Sequence, residues 1–203
     1  MIMSNLSKDI DNLKKRYREI FFQAIEEFNQ RIEHINPQEF LKFLNEDILK
    51  ELYQQKLEIL EVRKKSSCSG CAVCCKLACS EFSFEELKQK AQNGDNFATQ
   101  FISVFIPYDN EAEAEKIYPE YFELLKNKAA DEKVYFHHCP KITADNRCPD
   151  YENRPQICRD FPDNPIGFLP KTCGYKCWED EVQEKALKLH SLLEIVEFYK
   201  GKI

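Results

Sequence analysis

Residues 64–82 read KKSSCSGCAVCCKLACSEF, with five cysteines between positions 68 and 79. Cys68, Cys71 and Cys74 repeat a two-residue gap. At that spacing a tight turn lets sulfurs converge on one ion. Small residues fill the gaps, and Gly70 can enter backbone conformations closed to other residues. Cys75 follows Cys74 directly. Read as an extended segment, the two neighbours point to opposite sides. They therefore suit two sites, or two irons of one cluster, better than one tetrahedral ion. A disulfide between them would need a wider Cα separation than adjacent residues offer.

Downstream, residues 137–165 read HHCPKITADNRCPDYENRPQICRDFPDNP, and KTCGYKCW follows at 171–178. ADNR predicts a turn between Cys139 and Cys148, and ENRPQIC predicts a short helical turn presenting Cys158. Arg154, Arg159 and Lys141 are candidates to bring positive charge beside thiolates, orienting them and lowering their pKa. Tyr151, Arg154 and Pro155 read as braces for that loop. Cys79, next to Ala78, reads as a small buried hydrophobe. His137 and His138 invite a mixed Cys/His site, but the thiols already suffice without them. His34 and His190 read as ordinary helix residues.

CSGCAVCC, the later CPKITADNRCPDYENRPQICRDFP and a cysteine shortly beyond resemble the CxxCxxCC, or YkgJ-type, cysteine-cluster family, a zinc- or iron-chelating domain. The resemblance covers roughly residues 66–177. It implies eight motif cysteines as metal ligands. Seven fall on Cys68, Cys71, Cys74, Cys75, Cys139, Cys148 and Cys158. Cys173 and Cys177 compete for the eighth place, so the candidate metal set includes both. The resemblance also implies a distant kinship with flagellin lysine N-methylases, which share the cysteine motif.

The flanks read as helices. Apolar residues at Leu6, Ile10, Leu13, Tyr17, Ile20, Ala24, Phe28, Ile32 and Ile35 step by threes and fours, predicting one amphipathic helix. HINPQEF breaks it, with Asn36 as cap, Pro37 in the first turn and Glu39 at the capping-box position. Leu41, Leu44, Ile48, Leu52 and Leu60 predict the inward face of a second helix, antiparallel to the first. Ser83 predicts the cap of FEELKQKAQNG, with Gly94 as the stop. Helices are expected over 95–106 and 110–129, with Pro119 restarting the second stretch, and a short strand over 133–136. A last helix, from about Trp178 to Lys200, turns Val182, Ala186, Leu189, Leu193 and Val196 inward.

The fold class expected is mainly α: a helical hairpin at 1–65, a small irregular cysteine-rich metal-binding core at 66–177, and a C-terminal helix at 178–203 packing on the hairpin. With 43% hydrophobic residues among 203, the chain can bury a real core. The net charge is −6, and residues 1–65 hold 12 basic and 12 acidic side chains, so the whole excess falls in the cysteine-bearing part. That sign argues against a nucleic-acid partner. No apolar run approaches a membrane span. The first residues carry no secretory pattern, so the expectation is a reducing cytoplasm, where dense cysteines read as metal or redox chemistry.

No GxGxxG, P-loop, HExxH or nucleophile-elbow motif occurs, and enzymatic activity is left open. Asp150 and Glu152 could be imagined as general bases, but nothing singles them out. The function expected is a cytosolic metal-binding protein holding zinc or an iron–sulfur cluster, with helical surfaces on which a protein partner could dock. The alternatives are an iron–sulfur enzyme related to the lysine N-methylases, or a redox or metal sensor.

Overall fold

The computed structural model describes residues 5–128, 133–166 and 169–201. The side chains of 5–7 and 124–128 are not described, and the last residue of the predicted 110–129 helix lies outside the described residues. The fold is mainly helical, as the periodicity predicts. It divides into two compact units: residues 1–67, 165–169 and 175–203 form one, and 68–164 with 170–174 form the other.

In the first unit α1 (Asn5–Ile32) buries Ile10, Ile20 and Phe28. Asn36 caps α2 (Pro37–Lys42) in a complete capping box with Glu39. A π-helical turn, Phe43–Asp47, then joins α2 to α3 (Ile48–Arg63). The wider turn carries extra residues per revolution. Leu44, Ile48 and Leu52 face inward, but the inward position one turn earlier moves from the predicted Leu41 to Phe40. Leu41 is 42% exposed, and Phe40 packs on the core. At the far end Ile59 is buried, whereas Leu60 is only half-buried.

Helix α10 (Lys176–Lys200) lies against both α1 and α3. Tyr17 meets His190 and Glu194, while Phe28 stacks on Tyr199 at 5.2 Å, so α1 and α10 run in the same direction. Ile59 accepts a 3.0 Å hydrogen bond from the Trp178 indole and Glu58 pairs with Lys185, so α3 runs against α10. Contact with two helices buries more than one stripe. Val182, Ala186 and Val196 are buried as expected, but so are Leu187, Ser191, Leu192 and Ile195, while the predicted Leu193 is 41% exposed.

Glu179 is fully buried in the first turn of α10. It pairs with Lys176 and accepts from the Leu169 amide at 3.2 Å. Desolvation still outweighs these partners and raises its pKa above the usual 4.5. The folded state therefore binds the Glu179 proton more tightly than the unfolded state, so this group's contribution is lost as pH rises above 4.5. Relative to wild type, Glu179→Gln is expected to gain stability from about pH 5 to about pH 8. Urea unfolding followed by Trp178 fluorescence reads this. A constant difference across that range would refute the assignment.

The second unit is built on an antiparallel sheet in the order β1 (Ala78–Ser80), β3 (Tyr135–His138), β2 (Ile106–Pro107). Ala78 pairs with His137, Cys79 with Phe136, and Ile106 with His138. Strand alternation sends Cys79 and Phe136 to one face, against α7 (Glu111–Glu115) and α8 (Pro119–Lys128), where Ala114 and Phe122 are buried. It sends Ala78 and His137 to the other, against α5 (Phe84–Gln92) and α6 (Asn96–Val104), which bury Leu87, Ala98 and Phe101. Ser83 and Glu86 form a capping box at the start of α5, and Gly94 takes φ +88° at its end. The expected strand at 133–136 is displaced to 135–138, and the expected helix at 95–106 stops at Val104 and passes into β2.

Candidate metal centre

The turn around Cys71 is made by two left-handed residues, Gly70 at φ +73° and Ala72 at φ +60°. Glycine adopts this region freely, and alanine does so at some strain. The reversal presents amide hydrogens to sulfur. Gly70 N–H donates to Cys68 Sγ at 3.4 Å, and the Val73 amide lies near enough to Cys71 to favour its thiolate. Hydrogen bonds to a thiolate favour its charged form.

Ala72 also starts α4 (Val73–Lys76), a single turn carrying both Cys74 and Cys75. The expected extended pair is therefore helical. Residues one apart on an α-helix differ by about 100° in direction, so the neighbouring thiols diverge without opposing each other. They remain close enough for each to shift the other's pKa.

Backbone and side-chain ties bring the downstream loop to this turn. Cys139 N–H donates to the Cys75 carbonyl at 2.7 Å. The Tyr108 hydroxyl donates to the Lys76 carbonyl, and Lys76 Nζ donates to Asn146. Asn146 takes φ +64° in the predicted ADNR turn, where Thr143 bonds both Asp145 and the Arg147 backbone. Ser69 Oγ donates to the Thr172 carbonyl at 2.7 Å, next to Cys173.

Cys158 sits on α9 (Gln156–Asp160). Its approach loop is braced by Arg154, whose guanidinium lies 3.7 Å from the centre of the Tyr151 ring and donates to the Tyr151 carbonyl. Arg159 donates to the carbonyls of Arg154 and Glu152. Tyr151 and Arg154 act as the expected braces, while Arg154 also lies near enough to Cys75 and Cys158 to favour their thiolates. Lys76 does the same for Cys75, a neighbour that sequence spacing does not single out.

The thiols feel one another. The neighbouring Cys173 lowers the pKa of Cys71 to about 6. Cys75 is lowered mainly by its neighbour Cys74. Cys74 is driven strongly upward, first by Cys75 and then by burial and the charges of Cys75, Cys71 and Cys68. Burial, with Cys75, Cys139 and Cys148 nearby, raises Cys158 to about 11. Cys68, Cys71, Cys74, Cys75, Cys139, Cys148, Cys158 and Cys173 thus form one neighbourhood in the second unit. Cys177 is exposed in the first turn of α10, within the first unit.

Cys79 packs in the core with Phe136 and Phe122, and burial pushes its pKa up to about 12. His137 is fully buried, with its ring edge-on to Phe101 at 5.0 Å. Neither of its ring nitrogens makes a hydrogen bond of acceptable geometry, although the Tyr135 carbonyl lies close enough to favour its proton. Burial nonetheless dominates and lowers its pKa. Only the strand alternation around residue 137 could have signalled this buried imidazole.

All ten cysteines are free thiols. Among the described residues no three Cys, His, Asp or Glu side chains already converge as a finished metal shell. The donor set nevertheless fits zinc or an iron–sulfur centre: soft sulfur donors, an amide hydrogen on Cys68, and cations near Cys75 and Cys158. An ion held there would take thiolates and release the protons of the thiols whose pKa is raised, Cys74 and Cys158. Among the described residues no helix is long and apolar enough to cross a membrane.

No curated protein matches the chain, and no solved structure does. Residues 67–177 match the CxxCxxCC family, described as a "Putative zinc- or iron-chelating domain". The match spans both halves of the thiol neighbourhood and more than half of the chain, and the chain belongs to this family.

Proposed function

We propose that this protein is a cytoplasmic metal-binding protein. In this reading the thiolates of its second unit hold zinc or an iron–sulfur centre as the organising core of that unit. The observation that carries the reading is the left-handed turn at Gly70 and Ala72, which aims the Gly70 amide at Cys68 Sγ at 3.4 Å. The backbone there is already turned to stabilise thiolate charge, which an ordinary buried cysteine does not need. Free thiols throughout suit a reducing compartment. The helices of the first unit provide surface for a protein partner.

Anaerobic purification, followed by a visible spectrum and by metal and sulfide analysis per chain, tests this. Tightly held zinc in colourless protein, or matched iron and sulfide in brown protein, is the expected result. Protein that is metal-free and stays so on anaerobic reconstitution with either element would refute the reading.

A further inference from the structure

We propose that the eight thiols divide into two separately filled four-thiolate centres, parting between Cys74 and Cys75. Cys68, Cys71, Cys74 and Cys173 form the first. Cys75, Cys139, Cys148 and Cys158 form the second. This deepens the metal-binding reading above and rests on it.

The partition follows from which segments are tied together. The loop carrying Cys173 is fastened to the first CxxC turn by the Ser69 hydroxyl on the Thr172 carbonyl at 2.7 Å. On the other side the Cys75 carbonyl receives the Cys139 amide at 2.7 Å, and Lys76, next to Cys75, donates to Asn146 in the loop that leads to Cys148. Cys139 and Ile157, the neighbour of Cys158, pack against one core cluster. Helix α4 makes the division possible: its single turn directs Cys74 and Cys75 about 100° apart.

Each set holds four sulfurs, the complement of one tetrahedral zinc or one cubane cluster. The sets also differ in how charge is offset. The first has the Gly70 amide on Cys68, whereas the second has Arg154 and Lys76 near its sulfurs.

Titration of the reduced full chain with cobalt(II) alone, under anaerobic conditions, reads the thiolate-to-cobalt charge-transfer band against equivalents added. Two equivalents per chain are expected for wild type. Cys173→Ser and Cys148→Ser should each retain one, and the double variant none. A single equivalent in wild type would overturn the partition while leaving metal binding intact. So would loss of both equivalents in either single variant that keeps the wild-type circular dichroism. If a variant does not fold, the wild-type stoichiometry decides alone. No cobalt binding at all would overturn both the partition and the metal-binding reading.

Discussion

Serine in place of Cys158 is expected to lower the metal held per chain by at least half and to bring down thermal stability and soluble yield with it. Cys158 is delivered by a five-residue helix inside a proline-rich loop, held by Arg154 and Arg159 contacts to backbone carbonyls and by the Ile157 amide on the Gln100 side chain. Such a loop has little apolar area of its own to offset its ordering entropy. A bound ion supplies the missing term, since structural zinc sites contribute on the order of 10 kcal/mol of apparent binding energy that is also folding energy. Serine is nearly isosteric but a poor ligand for soft metals. Cys177→Ser, at an exposed position on α10, is the control and should retain wild-type metal and melting. Metal analysis and thermal unfolding of the two variants side by side decide the matter. Full metal content and native melting in Cys158→Ser would remove Cys158 from the ligand set.

Phe28→Ala is expected to cost the first unit about 3–5 kcal/mol, the usual range for deleting a buried aromatic ring. Phe28 is the hub of that core. It packs with Leu44, Ile48, Leu52, Leu192, Ile195 and Val196, stacks on Tyr199, and lies 5.9 Å from the Phe43 ring. Three helices meet on this one side chain, so none can close the cavity alone. Against a typical net stability of roughly 5–15 kcal/mol, the loss is a large fraction of the whole. Phe22, six residues earlier on the same helix, is 65% exposed. Phe22→Ala should therefore stay within about 0.5 kcal/mol of wild type. Trp178 is the chain's single tryptophan and is buried in this unit, so urea unfolding followed by its fluorescence measures both variants. Equal midpoints for the two would mean that the core is misassigned.

Some of this architecture is legible residue by residue. Asn36 with Glu39, and Ser83 by itself, announce two helix starts, because each offers backbone donors an acceptor that they otherwise lack. Ile10, Ile20 and Phe28 fall on the buried face that a 3.6-residue period demands. Leu41 and Leu193 show where periodicity stops short. A π-helical turn rephases the one, and a helix flanked by two others buries a face wider than a single stripe. Helix α4 and strand β1 span only four and three residues. Elements that short have no stable local preference and exist through tertiary contacts, here Cys139 on Cys75 and Ala78 against His137.

At the site, the spacing of the cysteines identifies the donors. It cannot supply what surrounds them. The reading of Cys74 and Cys75 as an extended pair misses the helical turn that carries them, because left-handed Ala72, not glycine, starts it. Lys76 and the amides of Gly70 and Val73 act through positions that only the folded turn creates. The buried His137 emerges from strand pairing alone.

The most direct measurement is thiol alkylation of the anaerobically purified native chain, mapped by mass spectrometry before and after a strong chelator removes the metal. The account predicts that Cys68, Cys71, Cys74, Cys75, Cys139, Cys148, Cys158 and Cys173 are protected until the chelator is added and then react together, while Cys177 reacts from the outset. Those eight thiols modified at the same rate with and without chelator, or recovered as cystine, would contradict it.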